Sequence, residues 1–471
     1  MQRRRAYRAA DVKDVLSESV LRTAPAGAAT AGLDIGKFGI RTVIRWKDGS
    51  CERPWKAENP GEIKPMVALL RKVADQRPLI VAMESTGTYG DCVRAELAKA
   101  GLEVHRVGGK AAHDYAEVFD GVPSQHDGKD AAVIAELAAI GKSVSWPYRA
   151  KSGAEAAMAY WADWLDAQQS IQRMWTGRLE SLLARHWPEA TRLLELSSVT
   201  LLRTLADYGG PAKLAEDPGA LTRLASWGRR GLERTKIEQF LASAAETVGV
   251  PQGPRDVQRM QQYATMALAA YREIQKSRRE LERLANDNEV IQRQAKVVGS
   301  ATACVLWVAV GDPRDYPCGA AYRKAMGLNL KERSSGKYQG QLKITKRGPS
   351  IVRRWMYFAA MRTSQSVFVR RWFEAKKAKD KNRGNGALIA IARKLALALH
   401  AVGARGQSFE PQRLFHNNQV LLRKALRAER KALRSLGNSG SEVFFRSGGS
   451  APKPPGFIAL KPRIKGKGGP A

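Results

Sequence analysis

Four carboxylates stand where a folded chain does not ordinarily leave charge. Asp34 ends an apolar run in Gly32-Leu33-Asp34-Ile35-Gly36-Lys37, and Glu84 ends Leu79-Ile80-Val81-Ala82-Met83 just before Ser85-Thr86-Gly87. A carboxylate at the end of a core-facing strand needs a cation or a hydrogen-bond donor. Asp127 and Asp130 are three residues apart and share one helix face. Four converging carboxylates repel one another unless a cation intervenes, and the hard ion Mg²⁺ takes oxygen ligands. Two such ions roughly 4 Å apart clamp the attacking and leaving oxygens of a phosphodiester displacement, which is nuclease or strand-transfer chemistry. Taken singly, each acid has an ordinary reading: Asp34 as a turn former, Glu84 as a cap partner, Asp127 as an N-cap with Asp130 in the first turn. The ordered set in a basic chain favours the metal.

A second constellation lies far downstream. Ser334, Ser335 and Gly336 stand between Lys331, Arg333 and Lys337, with Lys343, Lys346, Arg347, Arg353 and Arg354 close behind. A phosphate is well held in such company. Serine attacks a phosphodiester only with cationic stabilisation of the pentavalent oxyanion and help with its proton. The arginines supply the first, and no obvious base supplies the second. Composition alone favours a Ser-Gly loop that merely touches backbone phosphates.

The elements that must position these residues follow from periodicity. Ala31 to Ile35 and Ile40 to Trp46 read as two strands joined by a turn around Gly36-Lys37. A helix from Glu62 to Val73, a strand 79–83, a helix from Tyr89 to Ala100, a strand from Leu102 to Val107 and a helix over 127–140 complete an α/β domain. Met158, Trp161, Leu165, Trp175, Leu179 and Leu182 then form a three-four stripe, matched by Met260, Ala264, Ala267, Tyr271, Ile274, Leu281 and Ala285. Both stripes have polar breaks, and they fit either a coiled-coil arm that self-associates or two packed core helices.

The chain has 471 residues, more than one hydrophobic core usually organises. Its 79 Lys plus Arg against 45 Asp plus Glu give a net charge of +34, which asks for a polyanionic partner. No uninterrupted apolar run has transmembrane length, and no apolar signal core follows Met1-Gln2-Arg3-Arg4-Arg5, so nucleic acid is expected rather than a membrane. Cys51, Cys92, Cys304 and Cys318 are too scattered for a zinc site or a disulfide framework, which suggests reduced thiols in the cytoplasm.

At this point the motifs resemble a family, the DEDD-type insertion-sequence transposases. Gly32 to Lys37 is similar to the first motif, Met83-Glu84-Ser85-Thr86-Gly87-Thr88-Tyr89 to the second, and Asp127-Gly128-Lys129-Asp130-Ala131-Ala132 to the third and fourth. Met326-Gly327-Leu328, Ser335-Gly336, Ile344-Thr345-Lys346-Arg347-Gly348 and Val352-Arg353-Arg354 resemble the C-terminal domain of the same family. Val298-Gly299-Ser300-Ala301 departs from its usual Pro-Gly-Ile-Gly, a backbone loop for phosphates.

The resemblance implies an RNase H-like, RuvC-like α/β domain over 30–145 and a mostly helical serine-bearing domain over 295–405. Composition and periodicity, not the resemblance, add a basic leader 1–29, a helical connector over 146–294 open to a coiled-coil reading, and a basic tail 406–471 expected to be largely disordered. It implies Asp34, Glu84, Asp127 and Asp130 as catalytic Mg²⁺ ligands and Ser335 as recombination nucleophile, with Ser334 beside it left ambiguous. Lys337, Lys343, Lys346, Arg347, Arg353 and Arg354 would bind nucleic acid. It further implies cutting and rejoining of element and target DNA, a structured guide RNA and action at the bacterial nucleoid; a homo-oligomer is expected from the mechanism, because the acids and the serine lie in domains far apart in sequence. Other classes remain open: a Mg²⁺-dependent junction-cleaving nuclease, a noncatalytic nucleic-acid scaffold and, for the first domain alone, an actin-like kinase that shares the Asp-Ile-Gly turn.

Overall fold

A computed structural model describes residues 8–22, 24–85, 87–119, 127–228, 231–332, 334, 340, 342–378 and 384–415. The chain divides into two compact units, Met1–Ala150 and Lys151–Ala471.

The first unit is built on a mixed sheet. Its elements are β1 (Ala10–Asp11), α1 (Ser17–Arg22), β2 (Ala29–Ile35), β3 (Gly39–Arg45), β4 (Trp55–Glu58), α2 (Ile63–Gln76), β5 (Leu79–Glu84), α3 (Asp91–Lys99), β6 (Glu103–Val107), α4 (Gly109–Phe119), α5 (Asp127–Ala139) and β7 (Ser143–Ser145). The strand order is β1-β4-β3-β2-β5-β6-β7. Strands β2, β3 and β4 form an antiparallel meander, while β5 runs parallel to β2 and β6 parallel to β5. This arrangement is RNase H-like. Residues 10–22, which follow the arginine cluster of the leader, add a strand parallel to β4 and bury Val12 and Val20 in the same core. Charges of both signs, Asp11, Lys13, Asp14, Glu18 and Arg22, interrupt their apolar positions and hide the periodicity.

Alternation along the strands divides the unit into two layers. Ala31, Leu33, Ile35, Ile40, Ile44, Val81, Met83 and Val104 pack with Met66, Leu70, Val93 and Leu97 of α2 and α3. The opposite face packs on α4 and α5: Ala82 and Val107 meet Ala112, Val133, Ile134 and Leu137, and Val43 meets Ala131 and Ala132. The even-numbered residues of β2 and β5 thus face α5, and these include Asp34 and Glu84.

The second unit is helical apart from one short hairpin among its described residues. A pair of long helices, α6 (Gly153–His186) and α12 (Pro254–Asn286), is bridged at its far end by α7 (Ala190–Leu193), α8 (Val199–Tyr208), α9 (Pro211–Ala215), α10 (Ala220–Gly228) and α11 (Arg234–Ala245). Ser152 starts α6 with a reciprocal capping box to Glu155. Trp164 donates to Glu273 at 2.9 Å and the Trp175 and Tyr263 rings lie 5.2 Å apart, so the two helices run antiparallel. The two stripes meet each other inside one chain, with Met158 and Leu165 near Ile274 and Leu281 in one cluster and Leu179 with Met260 and Ala264 in another.

The remainder comprises α13 (Glu289–Val298), α14 (Ser300–Val310), α15 (Gly319–Ala325), the hairpin β8 (Leu330–Lys331) and β9 (Lys343–Ile344), α16 (Ser350–Ser364), α17 (Val367–Ala378), α18 (Asn385–Arg405) and α19 (Pro411–Leu414). Its core joins Leu306, Tyr322, Met326, Val352, Met356, Ile391, Leu395 and Leu399 to the near ends of α6 and α12. By length and composition α18 alone among the described helices could cross a membrane, but Arg393 and Lys394 interrupt it and Ile391, Leu395 and Leu399 lie in this core.

Candidate metal centre and nucleic-acid surface

The first unit gathers the four acids at one corner. Asp34 stands near the carboxyl end of β2, directly opposite Arg41 of β3. Glu84 closes β5 one residue beyond Met83, the partner of Leu33. Asp127 and Asp130 occupy the first turn of α5, where the helix dipole favours negative charge.

Two contacts fix the distance of α5 from the sheet. A Cβ on Gly32 would lie 2.0 Å from the Ala131 carbonyl oxygen and 2.5 Å from the Ala135 nitrogen, so the missing side chain lets the helix rest on the strand. Along β3, Arg41 meets Asp127 at 3.6 Å and Arg45 is bonded to Glu136. Four strand steps span roughly 13 Å and nine helix steps roughly 13.5 Å, so these ion pairs hold α5 to β3 near both ends.

The electrostatics record how close the acids stand. Burial pushes Asp34 up to about 6, and the charges of Asp130, Asp127 and Glu84 add to the rise while Arg41 opposes it. Glu84 is also raised, by burial and then by Asp130. A Cβ on Gly109 would lie 3.1 Å from Glu84 Oε2, which places this carboxylate against the start of α4. Asp127 is the exposed member of the four, its side chain 64% exposed. Lys129, between the two aspartates, is fully buried.

No three acidic, histidine or cysteine side chains among the described residues are drawn into a ready ligand cage. The donor set nonetheless suits a hard divalent cation: all four groups offer carboxylate oxygens, and Asp34 is destabilised as an anion by its three acidic neighbours. Such an ion at this corner would be held by Asp34, Glu84, Asp127 and Asp130.

In the second unit, Ser335 and Lys337 lie outside the described residues. Ser334 donates to Glu332 at 2.5 Å. Lys343 in β9 pairs with Lys331 of β8, and Lys343, Lys346 and Arg347 are exposed. Lys346 has φ +58° while its N–H donates to the Gly327 carbonyl, and a Cβ on Gly348 would meet the Ala325 oxygen at 2.4 Å, so this loop is folded tightly onto residues 325–329. The other two arginines of the set serve the fold. Arg353 donates to the Gly348 and Pro349 carbonyls at 2.5 and 3.3 Å, and Arg354 pairs with Asp166 of α6. At the junction of α13 and α14, Gly299 has φ +83° and Arg362 donates to the Val298 carbonyl.

The strand and helix acids are visible in the sequence; the residues that set their spacing are not singled out there. Gly32 belongs to the first motif, but only the helix approaching it gives it a purpose. Arg41, Arg45 and Glu136 carry no signal beyond a period of two on a strand and a helical offset of nine.

Residues 31–187 match a DEDD transposase domain, and residues 292–376 match the family described as Transposase IS116/IS110/IS902 family. No curated protein matches the chain. Among solved structures it is similar to T. thermophilus RuvC in complex with Holliday junction substrate, at 15% identity over 25% of this chain and 99% of that chain, with a TM-score of 0.20. An alignment that weak carries no argument about the site. Domains of the DEDD kind generally act with divalent metal ions on DNA. The two family matches lie in the two units that carry the acids and the basic loop, and the chain belongs to the DEDD-type IS110 insertion-sequence transposases, which are DNA-recombining enzymes.

Proposed function

We propose that this transposase performs site-directed recombination between its element and target DNA. Asp34, Glu84, Asp127 and Asp130 bind Mg²⁺, Ser335 is the nucleophile, and a structured RNA of the element directs the choice of site. The supporting observation is the placement of Asp34 and Glu84 at the ends of the neighbouring strands β2 and β5, on the face that meets α5, whose first turn carries Asp127 and Asp130. Bound Mg²⁺ supplies charge neutralisation at a phosphodiester. The protein's part is to hold four carboxylates in one place: Gly32 sets the height of α5, and Arg41 and Arg45 set its alignment.

Ser335 Oγ forms a bond to phosphorus as the bond to one strand oxygen breaks, and that oxygen leaves with a proton. The phosphodiester is conserved in the adduct, so a hydroxyl from another strand displaces the serine and rejoins DNA without an outside energy source. Exposed Lys343, Lys346 and Arg347, with Lys337, hold phosphates of the bound strand. Arg353 and Arg354 support the scaffold of the same surface. A homo-oligomer brings several strands together.

Trapping labelled DNA on denaturing gels tests this reading. Wild type and Ser334→Ala form a protein-linked product, whereas Ser335→Ala binds DNA and forms none, and Asp34→Ala loses strand chemistry. Normal adduct and recombination from Ser335→Ala would make the serine a phosphate contact and leave a metal-dependent junction nuclease.

A further inference from the structure

The acid corner contains a cation of the protein's own. Arg41 lies opposite Asp34 across the β2–β3 ladder and opposite Lys56 across the β3–β4 ladder, so Asp34, Arg41 and Lys56 form one row on a single face of the sheet. α5 packs on that face, and Arg41 Nη2 reaches 3.6 Å from Asp127 Oδ2. Lys56 is exposed at the outer end of the row, so positive charge leads away from the acids toward solvent.

Arg45 offers the comparison that gives Arg41 its meaning. Both arginines leave the same face of β3 and both meet an acid of α5. The Arg45–Glu136 side chains are only 17% and 18% exposed, and Glu136 is not among the four clustered acids. Asp127 is 64% exposed and stands beside Asp130 at the helix start. An exposed ion pair is weak and readily exchanged, whereas a covered one with two hydrogen bonds is a clamp.

We infer that Arg41 is an exchangeable counter-charge: it holds Asp127 while the corner lacks a divalent cation, yields that carboxylate when the cation arrives, and then takes a phosphate of the bound nucleic acid. The inference rests on the metal-site reading above. Four acids left alone would splay α5 from the sheet, and a fixed guanidinium keeps the helix in place before loading. Once Asp127 is taken, the same guanidinium is unpaired at the start of a row that Lys56 continues, which suits a polyanion passing over the sheet.

Calorimetric titration of the full chain with Mn²⁺, without nucleic acid, measures the exchange directly. Arg41→Gln is expected to bind Mn²⁺ about two- to fivefold more tightly than wild type, because a competing cation of surface-pair strength has gone. Arg41→Lys is expected to stay near wild type. Arg45→Gln, which removes the covered ion pair that aligns α5, is expected to lower the urea midpoint and to weaken Mn²⁺ binding, the opposite direction to Arg41→Gln. Arg41→Met, which keeps the apolar stem, replaces Arg41→Gln if the latter does not fold. For the phosphate half, DNA binding in Ca²⁺ should lose about 0.9 of its log–log salt slope in Arg41→Gln, with no such loss in EDTA. Unchanged or weaker Mn²⁺ binding by Arg41→Gln, while Asp34→Asn abolishes it, overturns the exchange and leaves the metal site. Wild-type Mn²⁺ binding by Asp34→Asn removes the metal site itself, and the exchange with it.

Discussion

Gly32→Ala is the smallest change that separates the fold of the first unit from its chemistry. The added methyl would meet two main-chain atoms of α5, at 2.0 and 2.5 Å, and neither can swing away as a side-chain tip can. Restoring ordinary contact, 3.4 Å or more, moves Ala131 outward by about 1.4 Å (3.4 less 2.0), and Asp130 precedes Ala131 on the same turn. Overpacking of this kind costs about 1–3 kcal/mol, less a few tenths recovered from the stiffer unfolded chain. Against a domain stability of about 5–15 kcal/mol the unit remains folded. Catalysis is less tolerant, because a shift of about 1 Å in a catalytic group costs on the order of 100-fold in rate. Urea denaturation should therefore show an unfolding free energy lowered by roughly 2 kcal/mol, while Mg²⁺-dependent strand cleavage falls about a hundredfold. Gly177→Ala, at a position in mid-α6 with open space around it, should instead stabilise by about 0.5–1 kcal/mol. If Gly32→Ala melts and cleaves like wild type, α5 does not rest on β2 there, and the positioning argument for Asp127 and Asp130 is wrong.

Other expected outcomes follow from the same geometry. Asp34, raised to about 6, favours the folded state when protonated, so its contribution is full below the ordinary value of 3.8 and lost as pH rises through about 6. Asp34→Asn should thus stabilise the metal-free protein near pH 7.5 by about 1–2 kcal/mol, the shift being discounted for the screening that water still provides, and not at pH 4, as read from thermal melts in EDTA. Arg354→Met leaves the half-buried Asp166 without its cation and should lower the unfolding free energy read from urea denaturation by about 1–2 kcal/mol, with part of the loss recovered in Asp166→Asn/Arg354→Met. Protein purified at moderate salt from cells that carry the element should retain a discrete RNA, released as salt rises; recovery of none, with full activity on bare DNA, removes the guide and leaves the recombinase.

What the sequence made legible was charge in the wrong place. Asp34 and Glu84 end runs of residues that belong in a core, and that contradiction is visible in one dimension. The sheet also follows from period: β2, β3, β5 and β6 are where alternation and apolar runs put them. Strand β4 and helix α4 were not legible, for different reasons. Trp55-Lys56-Ala57-Glu58 is only four residues long, and Gly109–Phe119 buries little beyond Ala112 on its own helix. The long stripes of α6 and α12 marked a seam without naming the partner. A three-four pattern reports that a face must be covered, and only the antiparallel return of the chain through α7–α11 shows that each long helix covers the other.

The basic loop shows the opposite limit. Net charge counts Arg353, Arg354, Lys343, Lys346 and Arg347 alike, yet a guanidinium has five donors and is as apt to brace a loop as to meet a phosphate. Arg353 closes the turn at Gly348, and Arg354 answers an acid on α6. The lysines and Arg347 stay outside. The same division holds in the first unit: Arg45 is absorbed by Glu136, while Lys56 remains open and Arg41 stands between, paired to an acid that has other uses. In a chain of +34 the informative cations are those with a carboxylate partner, because each pairing marks where the fold required charge to be neutralised before any nucleic acid arrives.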